Sequence, residues 1–234
     1  MLITIKQTVP KLGFIVFLQP KEKQMNIIES LEWRYAAKKF DDKKTLTEKQ
    51  IHTLKTAFNL TATSYGLQPV QMVVLKNKNI QQELVAHSWN QQQVAQASHV
   101  LVICIQDSIN EKDIEKYFAL VKNTRNTSDE ILNPFKDYLK TDIASKSENQ
   151  LAIWMKNQAY IALGNLLTVA AIEKIDACPM EGFNPEKYDE ILNLKKYNLK
   201  SALVLPVGFR AEDDYMKDLK KVRKNIADVV IEIN

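Results

Sequence analysis

Two pairs of cations and one glycine carry spacings on which chemistry could be built. Arg34 and Lys38 stand in "RYAAKKF", and Lys221 and Arg223 in "KKVRKN". Guanidinium and ammonium groups so placed suit an anion such as phosphate, the guanidinium through its two-pronged fork. A solvated basic face is the other reading of each pair. Gly182 stands in "CPMEGFNPE", between an acid and an aromatic ring, in a chain with only five glycines: Gly13, Gly66, Gly164, Gly182 and Gly208. A residue without Cβ there either lets backbone approach a ligand closely or ends a helix loop. So few and so scattered glycines exclude both G-x-G-x-x-G and G-x-x-x-x-G-K, which need several in one short loop. A phosphorylated ligand must therefore be gripped by side-chain cations.

Other chemistries have little to stand on. Cys104 and Cys178 show no C-x-x-C spacing and read as buried, reduced thiols. His52, His87 and His99 are scattered, which leaves no basis for a metal site or a Ser-His triad. The net charge of +4, with 26% charged residues, suits a small anion, and no basic stripe favours nucleic acid. "LGFIVFLQP" is too short to span a membrane, and no small-residue cleavage site follows it. A cytoplasmic protein is expected. A second methionine, Met25, opens the first helical pattern. Residues 1–24 are therefore expected to be a loose extension or a start-site artefact, and 25–234 a single domain.

The positioning elements follow from periodicity. Helices are expected over 26–33, over "LTEKQIHTLKTAFNL" with Thr47 as N-cap, and over "QQELVAHSWNQQQVAQAS". "PVQMVVLK" alternates as a strand, while "HVLVICIQD" and "SALVLPVGF" are continuous apolar runs and read as buried strands. Residues 110–146 are helix-prone with a break at Asn133-Pro134, and "DVVIEI" reads as a last short strand. "SENQLAIWMKNQAYIALGNLLTVAAIEKI" opens with Ser147 and Gln150 in capping-box spacing and is apolar in nearly every direction in its second half. A helix apolar all round must be covered all round. A partner subunit would do this, so a homodimer with this helix central is expected over a core helix in a monomer.

Taken in order, these pieces resemble the FMN-dependent nitroreductase family, especially its oxygen-insensitive, NAD(P)H-oxidising branch. "RYAAKKF" is similar to the family's R-x-S-x-K-x-F, with Ala36 in place of serine. "TATSYGLQPVQMVV" resembles S-S-x-N-x-Q-P-W, with Ser64, Gln68 and Pro69 matching and Gly66 where asparagine is common. "WNQQQVAQASHVLVIC" resembles the strand entry that begins at Asn90, with Gln93 where lysine often sits. "IWMKNQAY" echoes the central helix, "ACPMEGF" matches P-x-E-G-F, and "PVGFR…KKVR" is similar to the terminal P-V-G and K-x-R.

The resemblance implies an α+β nitroreductase-like fold. Its central, mostly antiparallel sheet is flanked by helices, a long buried helix lies at a homodimer interface, and a C-terminal strand is open to exchange between subunits. It implies FMN as cofactor and NADH or NADPH as donor. Hydride would pass to flavin N5, then two electrons to a flat acceptor: a nitroaromatic, quinone, pteridine or free flavin. Arg34, Lys221 and Arg223 would clamp the phosphate, with backbone contacts from Tyr35 and Ala36. Without the serine hydroxyl, one hydrogen bond of about 1 kcal/mol is lost at Ala36. Lys38 would sit beside N1 and O2, and Asn90 at the pyrimidine edge. Gln93, a neutral amide, would lower the potential. Pro179, Glu181 and Gly182 would pass along the ring, with a Glu181 or Gly182 N–H on N5 and no room for a Cβ at 182. Thr63, Ser64, Tyr65, Gly66 and Gln158 would come from the second subunit. Lys38, Asn90, Phe135 and Tyr138 would face donor and acceptor, and no side chain need be acid, base or nucleophile. A specialised flavin enzyme of this fold, such as a dehalogenase or dehydrogenase, and a flavin-binding protein without turnover remain alternatives.

Overall fold

The computed structural model describes residues 26–233. The expectation for residues 1–24 lies outside the described residues. Helix α1, Ile27–Trp33, starts at Asn26, whose side chain and that of Glu29 cap each other's backbone N–H. α2, Glu48–Asn59, starts in the same way from Thr47 and Gln50. β1, Val70–Leu75, follows. The single helix expected next is two, α3 over Lys78–Val85 and α4 over Gln93–Gln96. Trp89 and Asn90 separate them with φ of 52° and 58°, a left-handed backbone that no right-handed helix can carry.

β2, His99–Gln106, leads to α5, Glu111–Arg125, and α6, Asp129–Ala144. The break here lies at Asn126, with φ 54°, and not at Asn133-Pro134. Pro134 is inside α6, past its first turn; it leaves the Glu130 carbonyl without its helical N–H partner and crowds it, yet the helix runs on through it. α7, Glu148–Ile172, has the expected Ser147–Gln150 cap. β3, Asp176–Ala177, α8, Pro185–Ile191, and β4, Leu199–Gly208, complete the order. The strand expected at "DVVIEI" is absent from the described residues. A short 3-10 turn covers Ile226–Asp228, and Val229, Ile231 and Ile233 are 64%, 89% and 93% exposed, with no backbone beside them to pair.

The sheet runs β1-β2-β4-β3, every neighbouring pair antiparallel. β2 is central, which explains its unbroken apolar run: successive side chains enter different cores. Leu101, Ile103 and Ile105 pack with Leu203, Leu205, the α2 residues Ile51 and Leu54, and the α7 residues Met155, Ala159 and Leu166. Val100, Val102 and Cys104 pack with Val204, Leu84, Val94 and Tyr188 on the other face. α7 buries Met155, Ala162, Leu166 and Ala170, while Ile153 and Ile161 on its outer side stay half exposed. One chain covers this helix on one side only.

Leu166 is fully buried, and Leu166→Ala should cost about 2–5 kcal/mol in urea unfolding. His99 is buried at the head of β2, its Nδ1 2.8 Å from Ser98 Oγ, and burial, then Lys76, push its pKa down. Below the unfolded-chain pKa of about 6.5 the unfolded state takes up a proton that folded His99 resists. Stability should therefore fall as pH drops from about 7 towards 5, and His99→Gln should flatten that limb of the urea-midpoint profile.

Candidate functional site

The chain leaves α1 through Arg34 in extended backbone and lays residues 36–41 between two distant segments. Ala36 bridges Ala177 in parallel, and Phe40 bridges Arg210 antiparallel. Ala37 N–H donates to the Ala177 carbonyl at 3.3 Å, Asp41 N–H to Phe209 at 2.8 Å, and Ala211 N–H to Lys39 at 3.0 Å. Lys38 thus rides on backbone fixed from both sides. Beyond Ala211 the chain returns past α1, so Arg34, Lys221 and Arg223 line one cleft of about 460 Å³ together with Tyr35 and Ala36. Lys221 Nζ donates to the Arg34 carbonyl. Burial, followed by the Arg223 charge, holds the Arg34 guanidinium below its ordinary pKa. Burial, then Arg34 and Arg223, does the same to Lys221. Among the described residues no carboxylate forms an ion pair with any of the three. A donor set of this kind fits a phosphate, which would relieve the repulsion.

Next to it lies the Cys178–Asn184 turn. Burial pushes the Cys178 thiol up, outweighing the opposite pull of Lys38 and Arg34, so it is no ready nucleophile. Pro179 is partly exposed, Glu181 exposed and Gly182 buried. Met180 is locked to Val204 in both directions, at 2.8 and 3.1 Å. Among the described residues neither the Glu181 nor the Gly182 N–H has an acceptor. The turn is stitched to residues 87–92: Gln91 Nε2 donates to the Gly182 carbonyl at 3.1 Å and Asn184 N–H to His87 at 2.8 Å. This brings Asn90 alongside, while Gln93 is buried at the start of α4. A Cβ at 182 would stand 2.5 Å from Trp89 Cε3. The neighbour that a Cβ there would meet within the chain is therefore an indole ring.

A second group forms elsewhere. Ser64 N–H donates to Gln158 Oε1 at 2.8 Å, and Gln158 Nε2 to the Trp154 carbonyl at 3.0 Å, fixing the Thr63–Gly66 turn on α7. Tyr65 and Gly66 have φ of 58° and 75°. The Tyr65 ring meets Phe135 at 6.2 Å and Trp154 at 6.4 Å, and Phe135 lies parallel to Tyr138 at 6.3 Å. A Cβ on Gly66 would be 2.6 Å from Tyr117 Oη, so the glycine that departs from the usual asparagine is matched to that phenol. Among the described residues no hydrogen bond or ring contact joins this group to the cations. Trp89 and Tyr117 gave no signal in the sequence, because each acts through a segment remote from its own.

The family model described as "Nitroreductase family" matches residues 31–209. The chain belongs to the nitroreductase family. A provisionally named NAD(P)H nitroreductase of Staphylococcus epidermidis is 32% identical over 217 residues, covering 88% of this chain and 97% of its own. A nitroreductase-like protein of Streptococcus mutans shares the fold at TM-score 0.78 and 21% identity, over 88% of this chain and 98% of its own. A nitroreductase-fold structure from Exiguobacterium sibiricum, in complex with FMN, aligns at TM-score 0.77 and 15% identity, over 91% and 99%. The nitroreductase-type α+β fold and antiparallel sheet are as expected. Among the described residues no helix is long and apolar enough to cross a membrane.

Gly182→Val should displace the Trp89 ring. A urea double-mutant cycle with Trp89→Ala should return a coupling of about 0.5–3 kcal/mol, and simple additivity would refute the contact.

Proposed function

We propose that this nitroreductase is a homodimeric, cytoplasmic oxidoreductase built from one FMN-binding domain. It would take electrons from NADH or NADPH and deliver them to a flat acceptor: a nitroaromatic, quinone, pteridine or free flavin. The convergence of Arg34, Lys221 and Arg223 on one cleft carries the reading. The Staphylococcus relative's name and the Exiguobacterium complex support the choice of donor and cofactor. FMN, when bound, supplies the hydride-accepting and two-electron chemistry that these side chains lack.

The chain's own residues hold and orient. Arg34, Lys221 and Arg223 take the phosphate, with Tyr35 and Ala36 beside it. Lys38 places positive charge where reduction gathers negative charge, in a partly desolvated setting. The acceptor-free N–H groups of Glu181 and Gly182 face the ring edge, with Pro179 alongside, Asn90 at the pyrimidine side and Gln93 behind it. Thr63, Ser64, Tyr65, Gly66 and Gln158 complete the site across the dimer, and Phe135 and Tyr138 form the wall against which an acceptor lies. Two features support the dimer: the half-exposed Ile153 and Ile161 on α7, and the exposed apolar tail from Val229 to Ile233, which suits a strand exchanged between subunits.

Purified protein should be a yellow dimer whose flavin bands bleach under NADH or NADPH, the faster donor being the preferred one. Arg223→Ala should loosen FMN by about tenfold or more, read by fluorescence titration. A colourless monomer indifferent to added FMN overturns the reading.

A further inference from the structure

Asp214 is 2% exposed and lies beneath the strap that carries Arg34 and Lys38. Its Oδ2 accepts from the Tyr35 hydroxyl at 3.0 Å, Lys38 N–H at 2.8 Å and Lys39 N–H at 3.1 Å. Its Oδ1 accepts from Met216 N–H at 2.9 Å. Among the described residues no cation forms an ion pair with it, so four uncharged donors satisfy a buried carboxylate. Burial alone would raise its pKa, but the N–H donors of Met216, Lys38 and Lys39 and the Tyr35 hydroxyl outweigh this and hold it below the usual range. Three donors belong to the strap, and the fourth opens the arm that runs to Lys221 and Arg223. One carboxylate therefore ties together chain segments 176 positions apart.

Tyr35 is held a second time, by its face. The Arg210 guanidinium lies 4.4 Å from the Tyr35 ring centroid and 4.2 Å from that of Trp33. Arg210 is fixed in turn by Asp176, which accepts from its backbone N–H at 2.8 Å and from Nε at 2.6 Å. One guanidinium thus grips both rings that flank Arg34, and all three residues line the cleft.

We infer that Asp214 is a positioning residue: it sets the aim of Lys38 and fixes the Lys221–Arg223 arm against Arg34. The inference rests on the flavin-binding reading above. An apolar or amide side chain of similar size could fill the volume, but neither can accept from all four donors at once.

The test compares Asp214→Asn and Tyr35→Phe with wild type in FMN fluorescence titrations, in the midpoint potential of the bound flavin and in thermal melts. The asparagine amide keeps one acceptor oxygen and, in either orientation, turns its NH2 towards at least one of the four donors. FMN should bind at least about tenfold more weakly, and its potential should move negative as Lys38 loses its fixed place. Tyr35→Phe removes one donor and should weaken FMN by about two- to tenfold, with a smaller shift of the same sign. A role in fold alone would lower the melting temperature and leave the potential of the folded fraction unchanged. Folded Asp214→Asn with wild-type affinity and potential overturns the inference. If that variant does not fold, Tyr35→Phe decides in the same way. Wild-type protein that ignores FMN removes the flavin reading first, and the inference with it.

Discussion

Backbone pairing of residues 36–41, against Ala177 on one side and Phe209 to Ala211 on the other, supports the rest of the cation cluster. Without it Arg34 and Lys38 would be two long, flexible side chains on a loop, each losing close to 2 kcal/mol of rotamer freedom on ordering. With it, the strap is effectively a further strand at the end of the β3–β4 pair, and its geometry is inherited from the sheet. The like charges of Arg34, Lys221 and Arg223 repel one another, so their approach must be imposed from outside. Chain segments at opposite ends of the sequence impose it.

The antiparallel β2–β4 pair supplies the reference frame for both groups of proposed site residues. One end of β4 leads directly into Phe209 and Arg210, and Val204, in its middle, is bonded to Met180 in the glycine turn. The face that packs on α7 fixes Gln158, and through it Ser64 and the Tyr65 turn. Larger cavities than the cation cleft, among them two of about 590 and 620 Å³, lie elsewhere: by Asp107 and Lys200 at the far end of these strands, and between α2 and α7. Volume alone points elsewhere than charge and free backbone donors do.

Much of this was legible in the residues. The unbroken apolar runs of β2 and β4 meant burial on both faces, and the caps at Thr47 and Ser147 marked helix starts through a local, reciprocal bond. The cation pairs could be read as anion ligands because no glycine cradle competed. What escaped is non-local. Nothing in a tryptophan announces a left-handed backbone, so the break at Trp89 and Asn90 was hidden within helix-forming neighbours. Asn126 ends α5 because asparagine tolerates positive φ, while α6 runs through Pro134 despite the hydrogen bond lost there. The β-branched tail looked like a strand because composition speaks of preference and says nothing about a neighbour. Asp214 and Arg210 were unreadable for the same reason: their partners are set by tertiary contact.

The paired left-handed residues at 89 and 90 carry a warning for experimental design. In the proposed site Asn90 would do two jobs, offering an amide to the ligand and tolerating a backbone that most side chains resist by about 1–2 kcal/mol. An alanine scan would confound them, since loss of the amide and loss of the turn's shape arrive in one variant. Glycine keeps the bend and deletes the group, whereas aspartate keeps the bend and inverts the donor. Only that pair of replacements separates recognition from conformation.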